Sequence, residues 1–244
     1  MTELEIDPAE HRTLLRAGAR AVRFDAPLGE TRATKLVDAI SATAPDTVVD
    51  LGCGRGELLL RTLAASPTSR GIGLDVDREL LEDASDRAKA RGVHDRVRFV
   101  PADAATWNEP ADLAICVGTA HAFGGAGSAF AHLRNVIGAQ HALVGERCWI
   151  APPDEWSWDT FGDLPIGLPE LLGLATVSRW RVVDAAMSTI TEWDDYETDW
   201  RAGLTAVGTD TARELATERR SEYECGYRGV LGFGWLLLER LSDV

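Results

Sequence analysis

The sequence predicts an α/β fold, a mostly parallel sheet of seven strands with helices on both faces. Three observations predict it. Short apolar, β-branched runs alternate with amphipathic stretches along most of the chain. The run 113–117 is apolar on both faces, as a central parallel strand must be. At Val48-Val49-Asp50-Leu51-Gly52-Cys53-Gly54-Arg55-Gly56 a buried strand ends in an acid, passes through glycines at alternate positions and enters a helix. The 244 residues suffice for one α/β domain, and 45% hydrophobic with 26% charged residues marks a globular chain.

The elements follow in order. Residues 10–22 read as a helix, 25–29 as a break at Pro27-Leu28-Gly29, and 31–40 as a second helix. Pro45-Asp46 leads into strand 47–51, and a helix at 57–65 stops at Pro67. Strand 71–74 precedes Asp77, which caps a helix running to Arg91 and ending at Gly92. Strands 97–100 and 113–117 come next, then a helix with Phe130, Leu133 and Ile137 on one face, then strand 141–150. Beyond Pro152-Pro153 the pattern loosens to a helix near 168–177, a strand at 181–190, two helices across 193–227 and a last strand at 231–239.

The charge narrows the partners. A formal net charge of −14 repels phosphate backbones, and no dense run of Lys and Arg offsets it, so no nucleic-acid partner is expected. No apolar run is long enough to span a bilayer, and the acidic start lacks the pattern of a secretory signal. The four scattered cysteines suit free thiols in a reducing cytoplasm. Cys53, Cys116 and Cys148 fall near the ends of neighbouring strands. Small buried thiols are the ordinary reading there and a shared soft-metal site the exceptional one, so no metal is expected. Arginine far outnumbers lysine, which associates with a GC-rich bacterial genome.

The glycine turn carries the chemistry. Gly52, Cys53, Gly54 and Gly56 let the backbone turn sharply and approach a ligand, and the helix start behind them favours a carboxylate. Asp50 before the turn suits an ammonium. A ligand with both groups is an amino acid or an amino-acid nucleoside. The G-x-G-x-G spacing also departs from the G-x-G-x-x-G fingerprint of dinucleotide sites. Asp75, in Gly71-Ile72-Gly73-Leu74-Asp75-Val76-Asp77, ends the second strand, where a carboxylate grips ribose hydroxyls, and Val76 is placed to pack on a base. Asp103, in Val97-Arg98-Phe99-Val100-Pro101-Ala102-Asp103-Ala104, follows the third strand and is placed to accept from an exocyclic amine.

In this order the blocks resemble the class I S-adenosylmethionine-dependent methyltransferases over most of the chain. The stretches 111–118, His121-Ala122-Phe123-Gly124-Gly125, Leu143-Val144-Gly145-Glu146 and Trp193-Asp194-Asp195-Tyr196-Glu197 are similar to a bacterial small-molecule-type group. The resemblance implies a Rossmann-like sheet with an antiparallel last strand and S-adenosyl-L-methionine as cofactor. Asp50, Gly52 and Gly54 would then hold the methionine part, Asp75 the ribose, and Asp103 with Ala104 the adenine. Cys116 and Gly118 would supply backbone groups near the sulfonium. It also implies one domain over 1–244, with an N-terminal helical lid (1–44), a cofactor half (45–150) and a substrate half (151–244) carrying a helical insertion at about 192–228. The turn Gly118-Thr119-Ala120-His121 lacks the Asn-Pro-Pro-Tyr-like sequence common in enzymes acting on DNA bases or protein amides.

Methyl transfer needs alignment first, and a base only if the acceptor must lose a proton. His121, after the fourth strand, is the first candidate base, because an imidazole suits proton transfer near neutrality. Glu146 in the fifth strand is the second, with an ion pair to Arg147 as its structural alternative. Trp149, Trp193, Tyr196 and Trp200, interleaved with acids, suit an aromatic or cationic small-molecule acceptor. A monomer or homodimer is expected. Two other readings remain open here: a non-catalytic cofactor binder, and a nicotinamide-dependent oxidoreductase, which Asp50 and the glycine spacing disfavour.

Overall fold

The computed structural model describes residues 6–242. Residues 1–5 and 243–244, the outer ends of the expected first and last segments, lie outside the described residues. The chain divides into two compact units interleaved in sequence. Among the described residues, one holds 29–150, 164–187 and 232–242, and the other holds 6–28, 151–163 and 188–231.

The first unit is the sheet. Its strands are β1 (Thr47–Leu51), β2 (Arg70–Asp75), β3 (Val97–Pro101), β4 (Leu113–Val117), β5 (His141–Trp149), β6 (Trp180–Met187) and β7 (Leu231–Arg240), in the order β3-β2-β1-β4-β5-β7-β6. β1 pairs in parallel with β2 and β4, and β4 with β5, while β6 and β7 pair antiparallel. Leu113 to Cys116 are fully buried in the middle of this order, as their two-faced apolarity predicts. Alternation along β2 assigns the helices to faces. Ile72 and Leu74 join a core with Phe130 and Leu133 of α5 (Ala126–Asn135) and Leu171 of α7 (Gly167–Val177). Gly71, on the other face, lies under Leu59 and Leu63 of α3 (Glu57–Ala65). Trp180 starts β6 inside this core, and its indole N–H donates to the Phe130 carbonyl at 3.0 Å.

The remaining helices of the sheet unit are α2 (Glu30–Ser41) and α4 (Arg78–Ala90). A buried carboxylate ties them to α3. Glu57, 6% exposed, accepts from Arg61 at 2.8 Å, from Arg87 at 2.8 Å and from Arg91 at 2.7 Å. Arg61 also grips Glu30 of α2 with two hydrogen bonds of 2.8 and 3.0 Å. Only the Glu57–Arg61 spacing is legible as a helical i,i+4 pair; Arg87 comes from α4 and Arg91 from the residue that ends it.

The second unit is helical: α1 (Pro8–Ala21), α6 (Glu155–Phe161), α8 (Ile190–Val207), α9 (Asp210–Ser221) and a π-helical turn (Glu222–Tyr227). α1 and α8 approach closely because Gly203 has no Cβ; one there would lie 2.5 Å from the Ala17 carbonyl oxygen. Leu14, Val22, Trp200 and Leu204 fill the seam.

Two expectations need correction. β6 ends at Met187 rather than 190, because Thr189 caps α8 in a capping box with Glu192. Residues 155–161, to which the pattern assigns no element, form α6, started by the Asp154 carboxylate accepting from the Ser157 N–H at 2.7 Å. Of the N-terminal helices, α1 belongs to the helical unit and α2 to the sheet unit. Among the described residues no helix is long and apolar enough to cross a membrane.

The Glu57 cluster sets an expected outcome. Burial opposes ionisation of this carboxyl, but hydrogen bonds from Arg61 and Arg91 outweigh it and hold its pKa below the ordinary value. Its contribution is therefore full above the unfolded pKa of about 4.3 and fades as pH falls through the lower folded value. Urea unfolding should find Glu57→Gln about 2–4 kcal/mol less stable at pH 7, with a weaker loss of stability on acidification than the parent.

Candidate functional site

β1 delivers the chain to the glycine turn, and both neighbouring strands hold that turn in place. The Cys53 N–H donates to the Leu74 carbonyl at 2.7 Å, and the Gly56 N–H closes the turn on the Cys53 carbonyl at 2.8 Å. The Gly54 N–H donates to the Asp75 carboxylate at 2.9 Å. Gly52 has φ +76°, and a Cβ there would lie 2.2 Å from the Thr119 hydroxyl oxygen in the turn after β4. The two turns touch only because residue 52 has no side chain.

Two carboxylates flank this turn. Asp50 is 4% exposed, and among the described residues no hydrogen bond or opposite charge contributes to lowering its pKa. Burial, and then the neighbouring charge of Asp75, push its pKa up to about 8. Asp75 is oriented rather than neutralised. One oxygen accepts from the Gly54 N–H and the other from the Asp77 N–H, each at 2.9 Å. Each oxygen keeps a lone pair for a further donor. An uncompensated buried carboxylate beside a second, aligned one fits a ligand with a cationic group and hydroxyl donors.

The following strand ends add walls and a loop. Val76 is 75% exposed, unusually so for its type. The Asp103 carboxylate accepts from the Ala105 N–H at 2.9 Å, and Ala104 is buried behind it. Cys116 is buried, and the Gly118 N–H donates to the Gly145 carbonyl at 2.8 Å. His121 is exposed, with Nδ1 3.1 Å from the Gly118 carbonyl oxygen. A carbonyl only accepts, so Nδ1 carries the proton and Nε2 presents its lone pair. Glu146 is buried, and its oxygens accept from the Ala120 N–H at 3.2 Å and the Arg147 N–H at 2.9 Å. Burial raises its pKa against these two hydrogen bonds.

The expected substrate residues fall in both units. Trp149 is buried at the end of β5, its N–H donating to the Pro165 carbonyl at 2.8 Å. Trp193, Tyr196 and Trp200 lie on α8 of the helical unit. Trp200 packs on Gly18 and carries the Arg219 guanidinium 3.7 Å above its ring. The Tyr196 hydroxyl donates to Asp25 at 3.0 Å. All four cysteines are free thiols. The Cys148 sulfur faces that of Met187 at 4.0 Å, and burial raises its pKa to about 12. Among the described residues no three His, Cys, Asp or Glu side chains group as metal ligands.

Thr119 and the anchoring hydrogen bonds of Glu146 were not singled out from the sequence. The Gly52–Thr119 contact and the Glu146–Ala120 hydrogen bond have no local signal, since each joins residues of different strands or turns.

Comparison with known proteins gives three kinds of likeness. A family model described as a methyltransferase domain matches residues 48–139. YjhP of Escherichia coli (strain K12), an uncharacterized protein, is 28% identical over 228 residues, covering 87% of this chain and 91% of its own. Two solved structures are SAM-dependent methyltransferases in complex with S-adenosyl-L-homocysteine. The one from Geobacter sulfurreducens has a TM-score of 0.81 at 27% identity, covering 94% of this chain and 98% of that one. The one from Thiobacillus denitrificans has a TM-score of 0.78 at 27% identity, covering 98% and 100%.

The Gly52–Thr119 contact predicts a ranking. Gly52→Ala should lose about 2–4 kcal/mol of stability in urea titrations, from a left-handed φ and a steric clash together. Gly54→Ala, where φ is +52° but nothing lies within 4 Å of the new Cβ, should lose only about 1 kcal/mol.

Proposed function

We propose that this chain, a class I S-adenosylmethionine-dependent methyltransferase, transfers the methyl group to a small-molecule acceptor by in-line displacement. The observation that carries the cofactor reading is Asp50, a buried carboxylate without a counter-charge, standing beside the oriented carboxylate of Asp75. In this reading Asp50 faces the cofactor's ammonium, and Gly52, Cys53, Gly54 and Gly56 let the backbone approach its amino-acid end. Asp75 would accept from the ribose hydroxyls with its remaining lone pairs. Val76 would pack on the adenine, and Asp103 with Ala104 would hold it, Asp103 accepting from the exocyclic amine. The backbone at Cys116 and Gly118 would line the methionine.

When bound, S-adenosylmethionine supplies an electrophilic methyl group whose bonding electrons stay on sulfur as the acceptor attacks. The chain's own task is to hold the acceptor in line and exclude water. His121 Nε2 takes the acceptor's proton where there is one to lose. Glu146 serves through the loop: its hydrogen bond from Ala120 fixes the turn that aims His121, and its buried oxygens are already engaged by backbone. The absence of an Asn-Pro-Pro-Tyr-like turn and the net charge of −14 support a small acceptor over a nucleobase. Free thiols and the bacterial origin of the similar proteins support a bacterial cytoplasmic enzyme.

Two sets of measurements test this reading. Calorimetry should find S-adenosylhomocysteine affinity reduced roughly 10–100-fold in Asp75→Ala, with the melting transition retained. Because burial and the charge of Asp75 push the Asp50 pKa up to about 8, a bound ammonium should expel its proton at pH 7. Titrations in buffers of different ionisation enthalpy should detect that release in the parent and not in Asp50→Asn.

His121→Ala should leave S-adenosylhomocysteine binding unchanged. With an acceptor that loses a proton, it should lower kcat roughly 100-fold. An unchanged kcat would assign His121 to loop order alone.

A further inference from the structure

We propose that the first turns of α8, with the segments packed around them in the helical unit, recognise a planar, uncharged ring bearing a hydrogen-bond-accepting oxygen. The Trp193 indole N–H is the donor. This rests on the small-molecule reading above and names the class of that molecule.

Several chain segments bring aromatic rings together here. Trp156 and Phe161 of α6 pack on Tyr227 of the π-helical turn, with centroids 6.5 and 5.1 Å away. Trp193 meets Tyr227 at 6.1 Å and Tyr196 at 6.2 Å, both steeply inclined to it. The segment before α2 is tied to the same end of α8. The Ser188 hydroxyl donates to the Pro27 carbonyl at 2.6 Å, and Tyr196 donates to Asp25. Isolated π-helical turns recur at functional sites, and this one carries Tyr223 and Tyr227.

Within this cluster Trp193 is 6% exposed, and its Nε1 has no hydrogen-bond partner among the described residues. A buried donor without an acceptor costs free energy, so native folds rarely leave one. Trp180, equally buried in the sheet unit, donates to a carbonyl. An oxygen supplied by a ligand satisfies Trp193 in the same way.

The charges around it argue against a cationic ligand. Glu197, 1% exposed, is held by Arg219 through hydrogen bonds of 2.8 and 2.9 Å. Asp194 is held by Arg228 at 2.8 and 2.9 Å and by the Tyr223 hydroxyl at 2.7 Å. The position over Trp200 that a ligand cation would take already holds the Arg219 guanidinium. Ring edges and an indole N–H present positive partial charge, which suits a π face and an oxygen lone pair.

The test uses the full chain saturated with S-adenosylhomocysteine, and 2-naphthol, naphthalene and 2-naphthylmethylammonium as probes. Calorimetry should show 2-naphthol binding at least ten-fold more tightly than either of the others. Trp193→Phe should weaken it roughly ten-fold with S-adenosylhomocysteine affinity unchanged. On the unsubstituted protein, the Trp193 indole N–H resonance should move when 2-naphthol is added, a readout independent of whether the variant folds. Absence of 2-naphthol binding, equal binding by the variant or the ammonium probe, or an unmoved resonance overturns the inference. If S-adenosylhomocysteine still binds in those cases, the methyltransferase reading stands. A folded protein that binds neither ligand overturns both.

Discussion

A single backbone N–H, that of Gly54, joins the turn after β1 to the carboxylate that ends β2. Around it the Cys53 N–H reaches the Leu74 carbonyl, and bare Gly52 accepts Thr119 from beyond β4. Three adjacent strand ends are locked into one surface without any large side chain between them. The lock brings Asp50 and Asp75 together, and that proximity helps raise the Asp50 pKa to about 8. Keeping two acids this close without a protein cation beside Asp50 is electrostatically unfavourable, and an opposite charge placed there would lower that cost.

The same sheet unit shows the opposite solution a short distance along the chain. Glu57, just past the turn, is also buried, yet three arginines surround it and its pKa falls. Two acids seven residues apart thus receive contrary treatment. One is paired by the protein and braces α3 against α2 and α4; the other meets no opposite charge that lowers its pKa. Burial is similar in both, and the supply of donors decides the role. The helical unit repeats the contrast, with Glu197 closed by Arg219 and the Trp193 N–H left open.

The strands were legible because their signals are local. β1 and β4 lie where their apolar runs predict, and Asp77 caps α4 as read. The errors came where one local signal overruled another. Thr189 with Glu192 starts α8 and so shortens β6, and Asp154 starts α6 in a stretch where the looser pattern assigns no element. Caps act over three or four residues and are easily hidden by a longer hydrophobic pattern.

The residue pattern by itself determined the parallel sheet, the glycine turn and the acids at strand ends, because strand period, turn geometry and the order of blocks are written along the chain. Only the tertiary structure decided what each acid and ring has for company. Nothing in the spacing of Asp50 and Glu57 says which will meet the arginines in and after α4, and nothing around Trp200 announces Arg219 above its ring. Those partners are brought together by folding, and the energy of a buried charge or donor depends on its neighbours far more than on its position in sequence.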